Sequence, residues 1–252
     1  MNRLLLVLMM VTMTSSIYAQ GRGGDRGAPL APPPAAKAAA PFDMTGYWVS
    51  IVSEDWRWRM FPNKGDYAGV PLNPEGRRVA DAWDPAKDQA AGEQCKGYGA
   101  PPIMRIPGRF HITWQDDQTL KIEADAGTQT RLLQFGNPQN PGEDWQGVSK
   151  AEWQFVNAGG RGNAAARQPG SLKVVTTRLK PGYLRRNGVP YSANGTLTEY
   201  YDVVTEPDGD TYLVLTSKLE DPAYLTDAMI TAAHFKKQAG AAGWNPSPCA
   251  VR

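Results

Sequence analysis

Alternating apolar and polar residues, interrupted by turn-forming residues, extend from about residue 110 to residue 237. Phe110 and Ile112 alternate with polar neighbours, and a polar turn at 115–118 leads to a second alternating segment, 120–125. A period of two places successive side chains on opposite faces of a strand, so this pattern predicts a β-hairpin.

Further segments show the same strand-like character before the chain ends: 128–135, 150–156, 171–179, 195–205, 211–219 and 229–237. A series of sequential antiparallel strands closes most simply into an up-and-down barrel, because closure removes the exposed edges. We therefore predict an all-β fold, an antiparallel up-and-down barrel of about eight or nine strands. Pro after Asn73, Asp84 and Asp221 predicts two or three short helices beside it.

The N-terminal region differs from the rest in composition. Residues 1–19 combine Arg3, an apolar run and a small residue, Ala19, as in a cleavable signal peptide, and the run is too short to span a bilayer. Residues 20–41 are rich in Ala, Pro and Gly, which predicts a disordered linker. We expect a single folded domain over 42–252 in an exported protein, periplasmic or secreted, with no stable membrane insertion after cleavage.

The chain has two cysteines, Cys95 and Cys249. An even pair in an exported protein indicates a disulfide, which would attach the C-terminal tail to the region before Ile103. A metal pair or a catalytic thiol is the alternative. The chain has only two histidines and no metal-ligand spacing, so we predict no metal site.

Charge and motifs exclude several classes of function. The 27 basic and 25 acidic residues are nearly balanced, and the acidic ones are spread along the chain, unlike in a nucleic-acid-binding protein. There is no dinucleotide or phosphate-binding motif and no Gly-x-Ser-x-Gly, so we expect no cofactor and no serine triad. The sequence does not indicate an oligomeric state.

Thr45-Gly46-Tyr47-Trp48 lies on the first expected strand and resembles the Gly-x-Trp signature of lipocalins. The resemblance implies a barrel whose end is closed by Trp48, with Lys236 or Lys237 on the last strand packed against that ring. The chain also resembles uncharacterised secreted bacterial proteins with lipocalin-like (calycin) domains, through residues 220–226 and the following His-Phe-Lys. That second resemblance implies no function.

Tryptophan, arginine and carboxylate residues are concentrated directly after this signature, in 54–60. Aromatic faces beside guanidinium and carboxylate groups suit a pocket for an organic ligand. On an extended chain Trp56 and Trp58 share one face, whereas Asp55 and Arg57 share the other. The sequence does not indicate which face lines a cavity, and exposed ion pairs are the alternative for the charged residues.

Polar residues on the later strands are further candidates. His111 faces the barrel lumen if Phe110 and Ile112 pack outside the barrel, and is a surface residue if they fill it. The expected ligand-binding residues are Trp56, Arg57, Trp58, Arg105, Trp114, Arg131, Glu199 and Tyr201. The alternative for the polar strand residues is cross-strand pairing on a solvent-exposed outer surface.

Three functions fit these features. The first is an exported barrel that binds a small, largely apolar or aromatic ligand in its lumen. The second is a cofactor-free lyase, isomerase or hydratase, with Glu54, Asp55 and His111 transferring protons and Arg57, Arg105 and Arg131 holding an anionic or carbonyl group. The third is a structural envelope protein with a filled barrel.

Overall fold

Nine β-strands form a closed barrel in the computed structural model of the protein, which describes residues 34–53, 62–138, 144–157 and 167–251. The barrel strands are β1 (Gly46–Ser50), β2 (Arg109–Asp116), β3 (Thr119–Ala124), β4 (Gln129–Phe135), β5 (Val148–Asn157), β6 (Arg167–Thr177), β9 (Thr196–Thr205), β10 (Thr211–Glu220) and β11 (Met229–Gln238). The remaining strands, β7 (Gly182–Arg185) and β8 (Val189–Tyr191), form a separate hairpin. The predicted all-β barrel is therefore confirmed.

One neighbouring pair of barrel strands is parallel. The order around the ring is β1-β11-β10-β9-β6-β5-β4-β3-β2, and an odd number of strands cannot alternate in direction all the way round. The exception is β4 with β5, which are aligned from Leu133 opposite Ser149 to Phe135 opposite Ala151. The other neighbours are antiparallel, so the expected up-and-down order is interrupted at this one position.

The apolar residues of the alternating strands fill the barrel interior. Phe110 and Ile112 are buried in one cluster with Trp48 and Phe235, and Phe110 meets Phe235 edge to face at 5.2 Å. His111 between them is only partly buried and lies on the outer wall. Of the two alternatives for this strand, the surface position of His111 is the observed one.

One end of the barrel, where β1 ends and β2 begins, is covered by short helices, and we call it the helical end. The helices are α1 (Pro74–Asp81), α2 (Pro85–Ala90) and α3 (Ala100–Ile103), with a 3₁₀-helix at Gln94–Tyr98. The predicted starts of α1 and α2 are confirmed, since Asn73 and Asp84 accept hydrogen bonds from the N–H groups of Gly76 and Ala86. The turn of helix predicted after Asp221 is a single hydrogen-bonded turn at residues 222–224, in which the N–H groups of Tyr224 and Leu225 donate to the carbonyl of Asp221.

The C-terminal tail is fastened to the helical end. Cys95 and Cys249 form the predicted disulfide, with Cα atoms 5.1 Å apart. Hydrogen bonds add to it, because Arg186 donates to the carbonyl of Ala250 and the N–H of Ala250 donates to the hydroxyl of Tyr98.

None of the helices in the described part of the chain is long and apolar enough to cross a membrane.

Candidate functional site

The tryptophan- and arginine-rich segment predicted to form a pocket lies outside the described residues. This holds for Glu54, Asp55, Trp56, Arg57 and Trp58. Their expected catalytic and binding roles remain predictions. The other candidate residues have defined positions.

Arg131, Glu199 and Tyr201 come together inside the barrel, near the helical end. Two Arg131 nitrogens donate to the two carboxylate oxygens of Glu199, at 3.0 and 2.6 Å. The hydroxyl of Tyr201 donates to Glu199 at 3.1 Å and accepts from Arg131 at 3.3 Å. Thr176 completes the network through a hydroxyl 3.4 Å from Arg131 and 2.8 Å from that of Ser149.

The electrostatics of this network favour a fixed ion pair. Arg131 and Glu199 are only 2% and 1% exposed. Burial alone lowers the pKa of Arg131, but the attraction of Glu199 and then of Tyr201 outweighs it, so the guanidinium pKa lies above its usual range. Burial and the nearby charge of Glu199 raise the pKa of Tyr201. The guanidinium of Arg131 is thus held in its charged form, and Tyr201 keeps its proton.

A small cavity lies in the interior beside this network. Arg105, Ser217 and Thr231 contribute to the lining of a cavity of about 20 Å³ at the helical end. Such a volume is large enough for one water molecule but not for an organic ligand. Arg105 therefore lies beside a small cavity at the helical end, and its expected binding role remains a prediction.

A larger groove lies at the opposite end of the barrel. We call this end the aromatic end, because partly buried rings follow one another across it: Phe42 to Trp153 at 5.2 Å, Trp153 to Phe135 at 5.4 Å, and Phe135 to Trp114 at 5.8 Å. The groove beside them has a volume of about 610 Å³. We call it the rim groove, and its lining residues are Lys37, Ala40, Phe42, Asp43, Thr45, Thr113 and Trp114.

One wall of the rim groove is built by residues that the sequence assigned to the linker. Trp153 donates its indole N–H to the carbonyl of Ala36 at 2.8 Å, and the N–H of Lys37 donates to Asp117 at 3.1 Å. Ala36 itself is buried. Composition gave no sign of these contacts, since the segment makes them with backbone groups, the carbonyl of Ala36 and the N–H of Lys37. The available signal was Trp153, whose indole N–H needs an acceptor when it is buried.

Two charged residues face the rim groove and both are exposed. Lys37 has no ion-pair or side-chain hydrogen-bond partner within the described ranges. Asp43 uses one carboxylate oxygen to accept from the N–H of Thr45 at 2.8 Å, which fixes the turn leading into β1. One cation and one anion are thus available to a bound molecule.

His111 lies away from both ends, on the outer wall. Its ring stacks on Tyr47, with centroids 4.1 Å apart, and its Nδ1 is 3.4 Å from a Glu123 oxygen. Trp244 meets both rings edge-on. The proton-transfer role expected of His111 was tied to the barrel lumen, whereas the ring lies on the outer wall, and the role itself remains a prediction. Among the residues that the structure describes, no group of three or more His, Cys, Asp or Glu side chains could hold a metal ion.

Trp48 has the surroundings that the Gly-x-Trp resemblance implies. Its ring is fully buried, its indole N–H donates to the carbonyl of Met44 at 2.9 Å, and the ammonium of Lys237 lies 5.4 Å from its centre. Lys236, the other residue considered, is paired instead with Asp210.

Comparison with known proteins adds no identity to this geometry: no family model, no curated protein and no solved structure matches the chain.

Proposed function

We propose that this is an exported, lipocalin-like protein that binds a small, largely aromatic ligand in the rim groove. The observation that supports the proposal best is the groove itself. Its volume of about 610 Å³ falls within the range of about 300–1,000 Å³ that is usual for ligand sites. Trp114, one of the residues expected to bind a ligand, lines it beside Phe42.

The proposed position differs from the one that the sequence favoured. A ligand in the lumen would have to share the interior with apolar side chains, including those of Leu133, Leu172 and Leu213, each fully buried. The mouths of β-barrels are common ligand sites, and here the mouth offers both rings and open space. The rim therefore replaces the lumen in the proposal.

Two further observations support the remaining parts of the proposal. The contact of Lys237 with Trp48 agrees with the lipocalin resemblance. The disulfide between Cys95 and Cys249 agrees with export, since such bonds persist in oxidising compartments. Sequencing the N-terminus of protein recovered from its host would test export directly, and an intact Met1 would contradict it.

The binding proposal is tested with planar aromatic probes, 2-naphthol and indole, by ligand-observed NMR and calorimetry. We expect saturable binding to the parent protein and at least tenfold weaker binding to Trp114→Ala. The matched control is Trp145→Ala, because Trp145 lies at the helical end, where it donates to the carbonyl of Pro181. Its affinity should equal that of the parent.

A second variant removes the groove without removing packed atoms. Thr113→Trp adds a ring on a strand residue that lines the groove, where aromatic side chains are well tolerated. It should fold as the parent does and lose binding of both probes. If neither probe binds the parent, or if Thr113→Trp binds as well as the parent, the rim groove is not the site. The filled structural barrel is then the better description.

A further inference from the structure

The geometry points to a zwitterionic aromatic molecule as the ligand of the rim groove, an aromatic ring that bears both an acidic and a basic group. This inference rests on the proposed function, because it concerns the same groove. It depends on the two charges that the groove presents, which the packing of the barrel does not explain.

Lys37 and Asp43 are not paired with one another. No ion pair joins them among the described residues, and both are exposed on the lining of the same groove. A cation and an anion that face one space without neutralising each other present two opposite potentials to whatever occupies it. A ligand with only one charge would be attracted by one residue and repelled by the other, whereas a ligand with both charges can satisfy the two together.

The local fold holds the backbone of Lys37 and the carboxylate of Asp43 in place. The N–H of Lys37 is bonded to Asp117 at the turn between β2 and β3, and Asp43 is fixed by its hydrogen bond to Thr45. The rings of Phe42 and Trp114 line the space with them. Stacking on these rings supplies affinity for any aromatic molecule, and the two charges add orientation and selectivity.

Matched indoles test the inference, since they share one ring and differ only in charge. The probes are tryptophan with both charges, tryptamine with the positive one, indole-3-propionate with the negative one, and 3-methylindole with neither. In calorimetry or NMR titration at low ionic strength, tryptophan should bind most tightly of the four. An exposed ion pair changes affinity by about two- to fivefold, so the advantage over either singly charged probe should be of that order.

Two charge-removing variants assign each preference to a residue. Lys37→Gln should weaken the binding of tryptophan and of indole-3-propionate about two- to fivefold, and it should not weaken the binding of tryptamine. Asp43→Asn should weaken tryptophan and tryptamine by a similar factor. Asparagine can still accept from the N–H of Thr45, so this variant keeps the turn while removing the charge. Lys121→Gln is the control, because Lys121 is paired with Glu123 on the outer wall of β3, outside the groove.

The outcomes separate this inference from the proposal on which it depends. If all four indoles bind equally and neither variant changes their order, the charge preference is refuted while aromatic binding in the groove stands. If none of the four binds, the proposed function fails. If tryptophan leads but Lys121→Gln changes the affinities as much as Lys37→Gln does, the effect is general electrostatics and the inference is again refuted.

Discussion

Replacing Glu199 with glutamine removes the charge that neutralises Arg131 but leaves the side-chain volume nearly unchanged. In the parent, both carboxylate oxygens accept from the guanidinium, at 3.0 and 2.6 Å, and the two residues are almost wholly buried. In Glu199→Gln the guanidinium keeps its charge without a counter-ion. Breaking a buried pair in this way costs about 3–5 kcal/mol, because an uncompensated charge remains in a medium that solvates it poorly.

A triple variant separates the value of the pair from the penalty of breaking it. Arg131→Met with Glu199→Leu removes both charges, and Tyr201→Phe removes the hydroxyl that would otherwise lose both of its partners. Thr176 keeps the hydroxyl of Ser149 as a partner at 2.8 Å. Replacement of a buried pair by apolar residues of similar volume is often neutral or stabilising. We therefore expect the free energy of unfolding of the triple variant to be within about 1 kcal/mol of the parent value, or higher than it.

The assay is urea unfolding followed by circular dichroism, with the free energy of unfolding extrapolated linearly to water. The control is Glu152→Gln, which removes the carboxylate that faces Lys173 at 3.3 Å across two strands. Because Glu152 is exposed, this change should cost less than about 1 kcal/mol. Two results would refute this expectation. One is a Glu199→Gln variant that loses no more free energy of unfolding than Glu152→Gln does, and the other is a triple variant that is as unstable as Glu199→Gln.

Three further predictions concern other parts of the molecule. The double variant Cys95→Ala with Cys249→Ala removes the disulfide that joins residues 154 positions apart. The chain-entropy model predicts that the free energy of unfolding falls by about 4–5 kcal/mol. A fall of less than about 1 kcal/mol in urea unfolding would contradict this. Because burial raises the pKa of Tyr201, the unfolded chain releases a proton above about pH 10 that the barrel retains, so this contribution to stability is complete below that pH and is lost as the pH rises. The pH titration is followed by absorbance at 295 nm, which reports tyrosinate, and by circular dichroism, which reports folding. The tyrosinate signal that is missing in Tyr201→Phe belongs to Tyr201, and we expect it to appear only as the barrel unfolds. Ionisation of Tyr201 in the folded protein would refute this. Asp221 is buried and accepts hydrogen bonds from the N–H and hydroxyl of Ser192 at 2.6 and 2.7 Å. In urea unfolding, Asp221→Ala should therefore lower the free energy of unfolding by about 1–3 kcal/mol, more than Ser192→Ala does. The reverse order would be inconsistent with Asp221 as the central acceptor.

The barrel could be predicted because local sequence determines which face of each strand is apolar. Phe110 and Ile112 enter the interior and His111 leaves it, as a period of two requires. The parallel pair of β4 and β5 could not be predicted in this way. Alternation describes a strand and its faces, whereas direction depends on where the connection between Phe135 and Val148 returns to the barrel, and no periodic signal encodes that path.

The candidate sites were only partly predictable for a similar reason. Arg131, Glu199 and Tyr201 stood out as polar residues on partly apolar strands, and all three are in one network. Their pairing depends on strands far apart in sequence, so a ligand-binding role and an internal ion pair looked alike. Trp114 was identified, but the rim groove was not, because its second wall includes Lys37 and Ala40, in a segment that is attached to the barrel through the backbone carbonyl of Ala36.

The pairing of β1 with β11 has a consequence for how the protein is made. Tyr47 lies opposite Gln238, about 190 residues later in the chain. Synthesis adds about 5–20 residues per second, so β1 waits roughly 10–40 s for its second neighbour. During that time β1 and the strands already formed present an open edge to other chains. Barrel closure therefore waits for the C-terminal part of the chain, and the edge of β1 is covered only once β11 has paired with it.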